Sequence, residues 1–353
     1  MPRRTQEPPS RLRRTPPNAH FVRWGEKQLI SFAGGRNGRY VSSPRSGATL
    51  HKAGGVALIR AISAVSCQSG VMVVERLTEP GAALAEGPVW DSDQGTLLWV
   101  DILGQRVHRT DPDTGITHSI VTPSAVGAVA MDRSRGLIAS LVDGVYRHDG
   151  SEWVSLVDIE SDDADNRANE SKCDPFGNYL VGTMAWSADK PTGALYRVRP
   201  DLMVDTLRTG LTIANGLAWV DETMWHIDTP TGQVVGFRYD PSAPLGDVVG
   251  VIDVEPPGNP DGMCLDADGC LWVAVWGSGT VRRYSLDGRL LAQIEVPASQ
   301  VSSCTFGGSD LSLLFITTAR ENLEDPMVEP EAGAVFVTDL PGVQGLEPDR
   351  FAG

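Results

Sequence analysis

From Met72 onward one pattern returns six times: a short apolar strand, a turn, and a second strand. Gly95-Thr96-Leu97-Leu98-Trp99-Val100-Asp101 leads to Arg106-Val107-His108-Arg109, and Gly136-Leu137-Ile138-Ala139-Ser140 leads to Gly144-Val145-Tyr146-Arg147-His148. Equivalent pairs follow at 177–198, 223–239, 269–284 and 313–337. Asp-Gly, Thr-Gly and Pro-x-x-Gly turns punctuate them, and no stretch keeps a helical period. About 280 residues shared among six units gives roughly 45–50 each, the length of a four-stranded propeller blade. The pattern predicts an all-β, six-bladed β-propeller. A large β-sandwich gives no reason for six equivalent pairs. The first strand of each pair is read as an inner strand, apolar because both its faces are buried. The Trp residues fall mostly on such strands and are read as core.

Charge separates the chain into two parts. Residues 1–70 hold 12 Lys and Arg against only Glu7 and Glu26, whereas the remainder holds 18 against 43 Asp and Glu. The first part is rich in Arg, Pro, Ser and Gly and is expected to be a basic, disordered extension. It reads as an upstream gene-call extension or as an organelle transit segment, and the short apolar patch at 55–65 lacks the length of a secretory signal. Residues 71–353 are expected to form the propeller. So acidic a body repels nucleic acid and anionic membranes and tolerates cations. No apolar run approaches the ~20 residues of a membrane span. The five cysteines (Cys67, Cys173, Cys264, Cys270 and Cys304) show no Cys-x-x-Cys spacing. They read as free, mostly buried thiols in a reducing, cytoplasmic compartment.

Three short motifs carry the candidate chemistry: Glu86-Gly87-Pro88-Val89-Trp90, Ala214-Asn215-Gly216-Leu217 and Pro260-Asp261-Gly262-Met263-Cys264. Each sets one oxygen-bearing side chain beside a glycine, where a backbone can turn tightly or be approached closely. More than a hundred residues separate the first two, so only the fold can bring them together. Two carboxylates and an amide oxygen suit one divalent cation (calcium, zinc, magnesium or manganese) with open positions left for water or substrate. Taken singly, each motif has a plainer reading. Glu86 could bridge strand ends, Asn215-Gly216 is a turn pair, and Asp261-Gly262 suits a hairpin. Blade geometry would nevertheless send equivalent inter-strand loops to one channel mouth. The acidic run before Arg167 lacks the glycine and terminal Glu of an EF-hand and reads as a solvated loop. Arg167 itself could merely pair with those neighbouring acids. The six His residues show no ligand spacing, and His108 and His148 are expected on strand surfaces. A Gly-x-Ser-x-Gly elbow and a phosphate-binding glycine loop are both lacking.

Residues from about 72 to 353 resemble the gluconolactonase/regucalcin family of senescence-marker-protein lactonases. The resemblance rests on the three motifs above, on Trp99-Val100-Asp101-Ile102, Arg167-Ala168-Asn169, Asp174-Pro175-Phe176-Gly177 with Gly182-Thr183-Met184, and on Ser302-Ser303-Cys304-Thr305-Phe306-Gly307-Gly308. It implies a six-bladed propeller with a metal in the central channel held by Glu86, Asn215 and Asp261. It also implies that Arg167 and Asn169 bind substrate. Where the family has Asp after that Asn, this chain has Glu170, a longer arm next to the site. Where some relatives place an acidic substrate contact, this chain reads Ala185-Trp186-Ser187, which makes Trp186 a candidate pocket wall.

A divalent metal can polarise a lactone carbonyl and activate water; Asp261 is the candidate general base. Arg167 can orient the lactone and stabilise developing negative charge, and Asn169 offers both donor and acceptor to sugar hydroxyls. The expected function is hydrolysis of a small sugar lactone by a monomer or small homo-oligomer. Two other readings remain open, because propellers host many functions. One is a non-catalytic calcium- or metal-binding regulatory propeller. The other is a related propeller acting on aryl esters or phosphotriesters, which Trp186 would favour.

Overall fold

The computed structural model describes residues 73–323, 325 and 327–353. The expectation for residues 1–70 lies outside them. Twenty-four strands form six four-stranded antiparallel sheets. A short strand β1 (Glu75–Arg76) comes first. Blade one is β2 (Ala85–Asp91), β3 (Thr96–Asp101), β4 (Arg106–Thr110) and β5 (Thr117–Val121). Blade two is β6 (Val126–Met131), β7 (Leu137–Leu141), β8 (Gly144–His148) and β9 (Trp153–Asp158). Blade three is β10 (Asn166–Cys173), β11 (Tyr179–Ala185), β12 (Gly193–Val198) and β13 (Val204–Leu211). Blade four is β14 (Ala214–Val220), β15 (Thr223–Asp228), β16 (Gln233–Arg238) and β17 (Val248–Asp253). Blade five is β18 (Asn259–Leu265), β19 (Leu271–Trp276), β20 (Thr280–Tyr284) and β21 (Leu290–Glu295). Blade six is β22 (Val301–Gly307), β23 (Leu313–Thr318) and β24 (Val335–Asp339), and β1 pairs with β24 as its outermost strand. One 3-10 turn (Thr229–Thr231) is the only helical element among the described residues. This is the predicted six-bladed propeller.

The first strands β2, β6, β10, β14, β18 and β22 contact one another in a closed ring around the channel. The repeat seen in the sequence is therefore the second and third strands of each blade, and not the channel strand. The second strands are the apolar ones, as in Leu271–Trp276, because blades stack on both their faces. Five of the six channel strands mix polar and apolar residues, whereas β6 (Val126–Met131) is wholly apolar. Three of the core clusters span neighbouring blades five and six, one and two, and two and three. Trp90, Trp99, Trp225 and Trp272 are buried as expected. His148 is buried, not on the surface, and packs against Trp153 with ring centroids 4.9 Å apart. His108 is half-buried and stacks on Trp99 at 4.0 Å. Cys173, Cys264, Cys270 and Cys304 are free thiols, and the sulfurs of Cys264 and Cys304 lie 3.6 Å apart. Cys67 lies outside the described residues. No helix of the described residues is long and apolar enough to cross a membrane.

After β24 the chain crosses the end of the channel at which the first strands finish. The Gln344 carbonyl accepts from the Ala267 amide (2.7 Å), and the Gly345 amide donates to Leu311 (2.8 Å). Further on, Arg350 pairs with Asp93 (2.8 Å), and the Phe351 amide donates to Met131 (3.0 Å). One strap thus ties blades five, six, one and two. Leu346, Glu347, Pro348 and Asp349 close a cavity of about 340 Å³ lined by the distal halves of the first strands.

Candidate functional site

All six first strands shift register against their second strands near their starting ends. The shifts fall between Glu86 and Val89, Val126 and Ala128, Ala168 and Ser171, Asn215 and Leu217, Pro260 and Met263, and Val301 and Ser303. A bulge re-aims side chains beside it. Glu86, Asn169, Glu170, Asn215 and Asp261 all sit at these bulges. This corrects the expectation that inter-strand loops carry them: they belong to the channel strands, and neither Asn215-Gly216 nor Asp261-Gly262 is a turn.

The neighbouring glycines serve close approach between blades. A Cβ on Gly216 would lie 2.8 Å from the Asp261 carbonyl oxygen, and one on Gly262 would lie 2.1 Å from Ser303 Oγ. At Asn215 and Asp261 the pattern of oxygen donor plus glycine has one cause: the glycine lets the next channel strand pack against the donor's strand, whereas Gly87, beside Glu86, adopts a left-handed φ of 49°.

Glu86, Asn215 and Asp261 are all buried. The Glu86 carboxylate accepts from the Gly87 amide at 2.9 Å. Asn215 Nδ2 donates to Thr229 Oγ1 at 2.9 Å, while Asn215 Oδ1 is buried with no hydrogen-bond donor. Burial, followed by repulsion from Glu170, pushes the Glu86 carboxyl up to about 8. Burial, then Glu86 and Glu170, raises the Asp261 carboxyl well above the ordinary range, with Asn215 and Arg167 acting the other way. Mutual repulsion of this kind requires the acids to converge. A buried amide oxygen without a donor beside two buried carboxylates is a set of acceptors that a cation would satisfy. Among the described residues no group of three or more His, Cys, Asp or Glu is arranged for a metal. The donor set here is two carboxylates and an amide, the hard-oxygen kind.

Arg167 does not pair with the acidic run before it. Its Nη1 donates to Asn169 Oδ1 (2.7 Å) and to the Ala168 carbonyl (2.9 Å). Asn169 Nδ2 donates to the Ala214 carbonyl of blade four (2.9 Å). Burial pulls the Arg167 guanidinium down to about 10, opposed by Glu321, Glu86 and Asp261. Trp186 follows β11, is 44% exposed, and lies over the Arg167 guanidinium at 5.5 Å. All seven residues singled out from the sequence therefore meet in one region. Two neighbours were missed. Glu321 faces Arg167 from a loop after β23 with no motif to mark it. Lys172 could have been found, because strand alternation places it on the same side as Glu170.

The fold and these side chains define a channel-sited propeller with a hard-oxygen donor set, a buried arginine beside it, and an aromatic wall. Comparison with known proteins narrows the class. The model of the SMP-30/Gluconolactonase/LRE-like region matches residues 84–320, and the chain belongs to this family. It is 36% identical over 285 residues to the "Putative sugar lactone lactonase YvrE" of Bacillus subtilis (strain 168), covering 77% of this chain and 96% of that one. It is 34% identical over 287 residues to pentonolactonase XacC of Haloferax volcanii, covering 76% and 95%. Among solved structures, a calcium-binding protein, regucalcin, of Agrobacterium tumefaciens superposes with a TM-score of 0.75 at 29% identity, over 79% of this chain and 97% of that one.

Proposed function

We propose that this protein is a divalent-metal-dependent hydrolase that opens a sugar lactone. The observation that carries the reading is the buried Asn215 Oδ1, which has no hydrogen-bond donor, in a site it shares with the mutually repelling Glu86 and Asp261 carboxylates. Those three residues would hold the cation, which when bound acts as a Lewis acid on a carbonyl and lowers the pKa of water. Arg167 and Asn169 orient the lactone oxygens, and Arg167 balances charge that develops on the carbonyl. Asp261 accepts the proton of the attacking water as its oxygen bonds to the carbonyl carbon. The ring C–O bond then breaks, and the proton passes to the departing ring oxygen, leaving a hydroxy acid. Trp186 forms a flat wall over Arg167. Relatives named as sugar lactone lactonase and pentonolactonase support the substrate class.

The test is lactone hydrolysis followed by acid release, on a panel including glucono-δ-lactone, after chelation and with each cation restored. Activity is expected to vanish with chelator, to return with one cation, and to fall at least ~10²-fold in Asp261→Asn, the usual scale for losing an acid–base group. The similarity to a calcium-binding regucalcin supports a second reading, a propeller that binds calcium without catalysis. Tight cation binding with no turnover of sugar lactones, aryl esters or phosphotriesters would select it.

A further inference from the structure

Lys172 lies two residues beyond Glu170 on β10, and both line the channel cavity. Its ammonium donates to the Leu217 carbonyl (3.0 Å) and the Met263 carbonyl (2.7 Å), and it lies 3.5 Å from Glu170 Oε1. Two of the three ammonium N–H groups thus have carbonyl acceptors, and the Glu170 carboxylate is its ion-pair partner. The acceptors are not arbitrary. Leu217 follows Asn215 by two residues on β14, and Met263 follows Asp261 by two on β18. Glu170 is itself buried, with Oε2 lacking any donor, and it interacts with both Glu86 and Asp261. One side chain thus joins the strands bearing two of the three cation donors to a carboxylate that repels the two acidic ones.

The two cations that act on this acid cluster are Arg167 and Lys172. Arg167 is held by Asn169 and by the Ala168 carbonyl on the mouth side, under Trp186. Lys172 reaches the cluster from the cavity side. Buried carboxylates without compensating charge either destabilise a fold or take up protons, and a fixed ammonium beside them favours their charged form. A divalent cation supplies that compensation when bound, and a fixed ammonium nearby then adds repulsion instead.

We propose that Lys172 is a built-in counter-cation, a positioning residue that holds the channel strands together and balances the acid cluster while no divalent ion is bound. The proposal rests on the metal reading of the site. It makes Lys172 worth more to the metal-free protein than to the loaded one, which a simple strand tie would not.

The experiment measures Tm of the full chain by calorimetry in chelator and in saturating calcium, magnesium, manganese or zinc. Wild type, Lys172→Gln and Lys172→Arg are compared. Lys172→Gln removes the charge and keeps a donor group; Lys172→Arg keeps the charge and alters the geometry. The cation-induced rise in Tm is expected to at least double in Lys172→Gln and to stay at the wild-type value in Lys172→Arg. Equal losses of Tm with and without cation, or an Arg variant that behaves like the Gln variant, would overturn the proposal and leave the metal reading standing. So would a Gln variant that stays unfolded even in saturating cation. A wild-type Tm indifferent to every cation would remove the metal reading and the proposal with it.

Discussion

At the scale of single residues, the site is an accumulation of buried acids, and this has a measurable pH signature. Glu86 titrates at about 8 in the folded chain against 4.5 as the ordinary value. Between those limits the folded state holds a proton that the unfolded state has lost. Unfolding free energy therefore falls as pH rises through that window. In chelator, Tm is expected to decline from pH 5 to pH 8, and the decline to be smaller in Glu86→Gln; a Tm that rises over the range would contradict the assignment. Cation affinity should move the opposite way, because binding displaces the same protons. Trp186 offers a second residue-scale check. An exposed cation–π contact is worth about 0.5–1 kcal/mol, so Trp186→Ala should raise KM for a lactone roughly two- to fivefold by freeing Arg167. Steady-state kinetics with kcat changed by less than about twofold would fit; a collapse of kcat would make Trp186 part of the chemistry.

At the scale of elements, the bulge at the start of every first strand is the device that builds the site. Without it, strict alternation would turn Asn169 and Glu170 to opposite faces. Sequence reading found the residues and not the bulge. Glu86, Asn215 and Asp261 were legible because each pairs an oxygen donor with a glycine. The register shift was not, because it is defined only against the partner strand. The same limit explains the misplaced repeat. The second strands announce themselves by continuous apolar runs such as Leu271-Trp272-Val273-Ala274-Val275, whereas all channel strands except β6 mix polar and apolar residues and look like loops. Gly127, on the channel strand of blade two, shows how tight these strands are. A Cβ there would come within 2.4 Å of the Asn169 carbonyl oxygen and 2.8 Å of the Ala168 carbonyl carbon. Both contacts are backbone, so neither can swing aside. Gly127→Ala is expected to cost roughly 1–3 kcal/mol, the scale of overpacking, and to weaken activity by moving Asn169. Chemical denaturation gives the first quantity and KM the second; a variant with wild-type stability would mean that blades two and three can separate at no cost.

At the scale of the whole molecule, a ring of blades must be closed, and this chain closes it from both directions. The N-terminal strand β1 completes the last blade by pairing Glu75 with Val337 and Arg76 with Phe336. The C-terminal strap then crosses to the other side of the ring. Its path did not show in the sequence, because Leu346-Glu347-Pro348-Asp349-Arg350 has no period of its own. The strap's anchor is Phe351, fully buried in the cluster that joins blades two and three, among Ile138, Val145, Tyr179 and Val181. Its amide and carbonyl continue the sheet edge through Met131 and Arg133. Truncating a buried Phe to Ala costs about 3–5 kcal/mol. For a domain somewhat above 250 residues, each kcal/mol is worth about 2 °C of Tm, so Phe351→Ala should melt roughly 5–10 °C lower. The strap meets the ends of the first strands, whereas Glu86, Asn215 and Asp261 sit near their starts, with the cavity between. Cation affinity of the folded variant, measured by titration calorimetry below its lowered Tm, should therefore match wild type. If affinity falls with Tm, closure of the ring and geometry of the site are one cooperative property, and the strap contributes to binding from the far end of the channel.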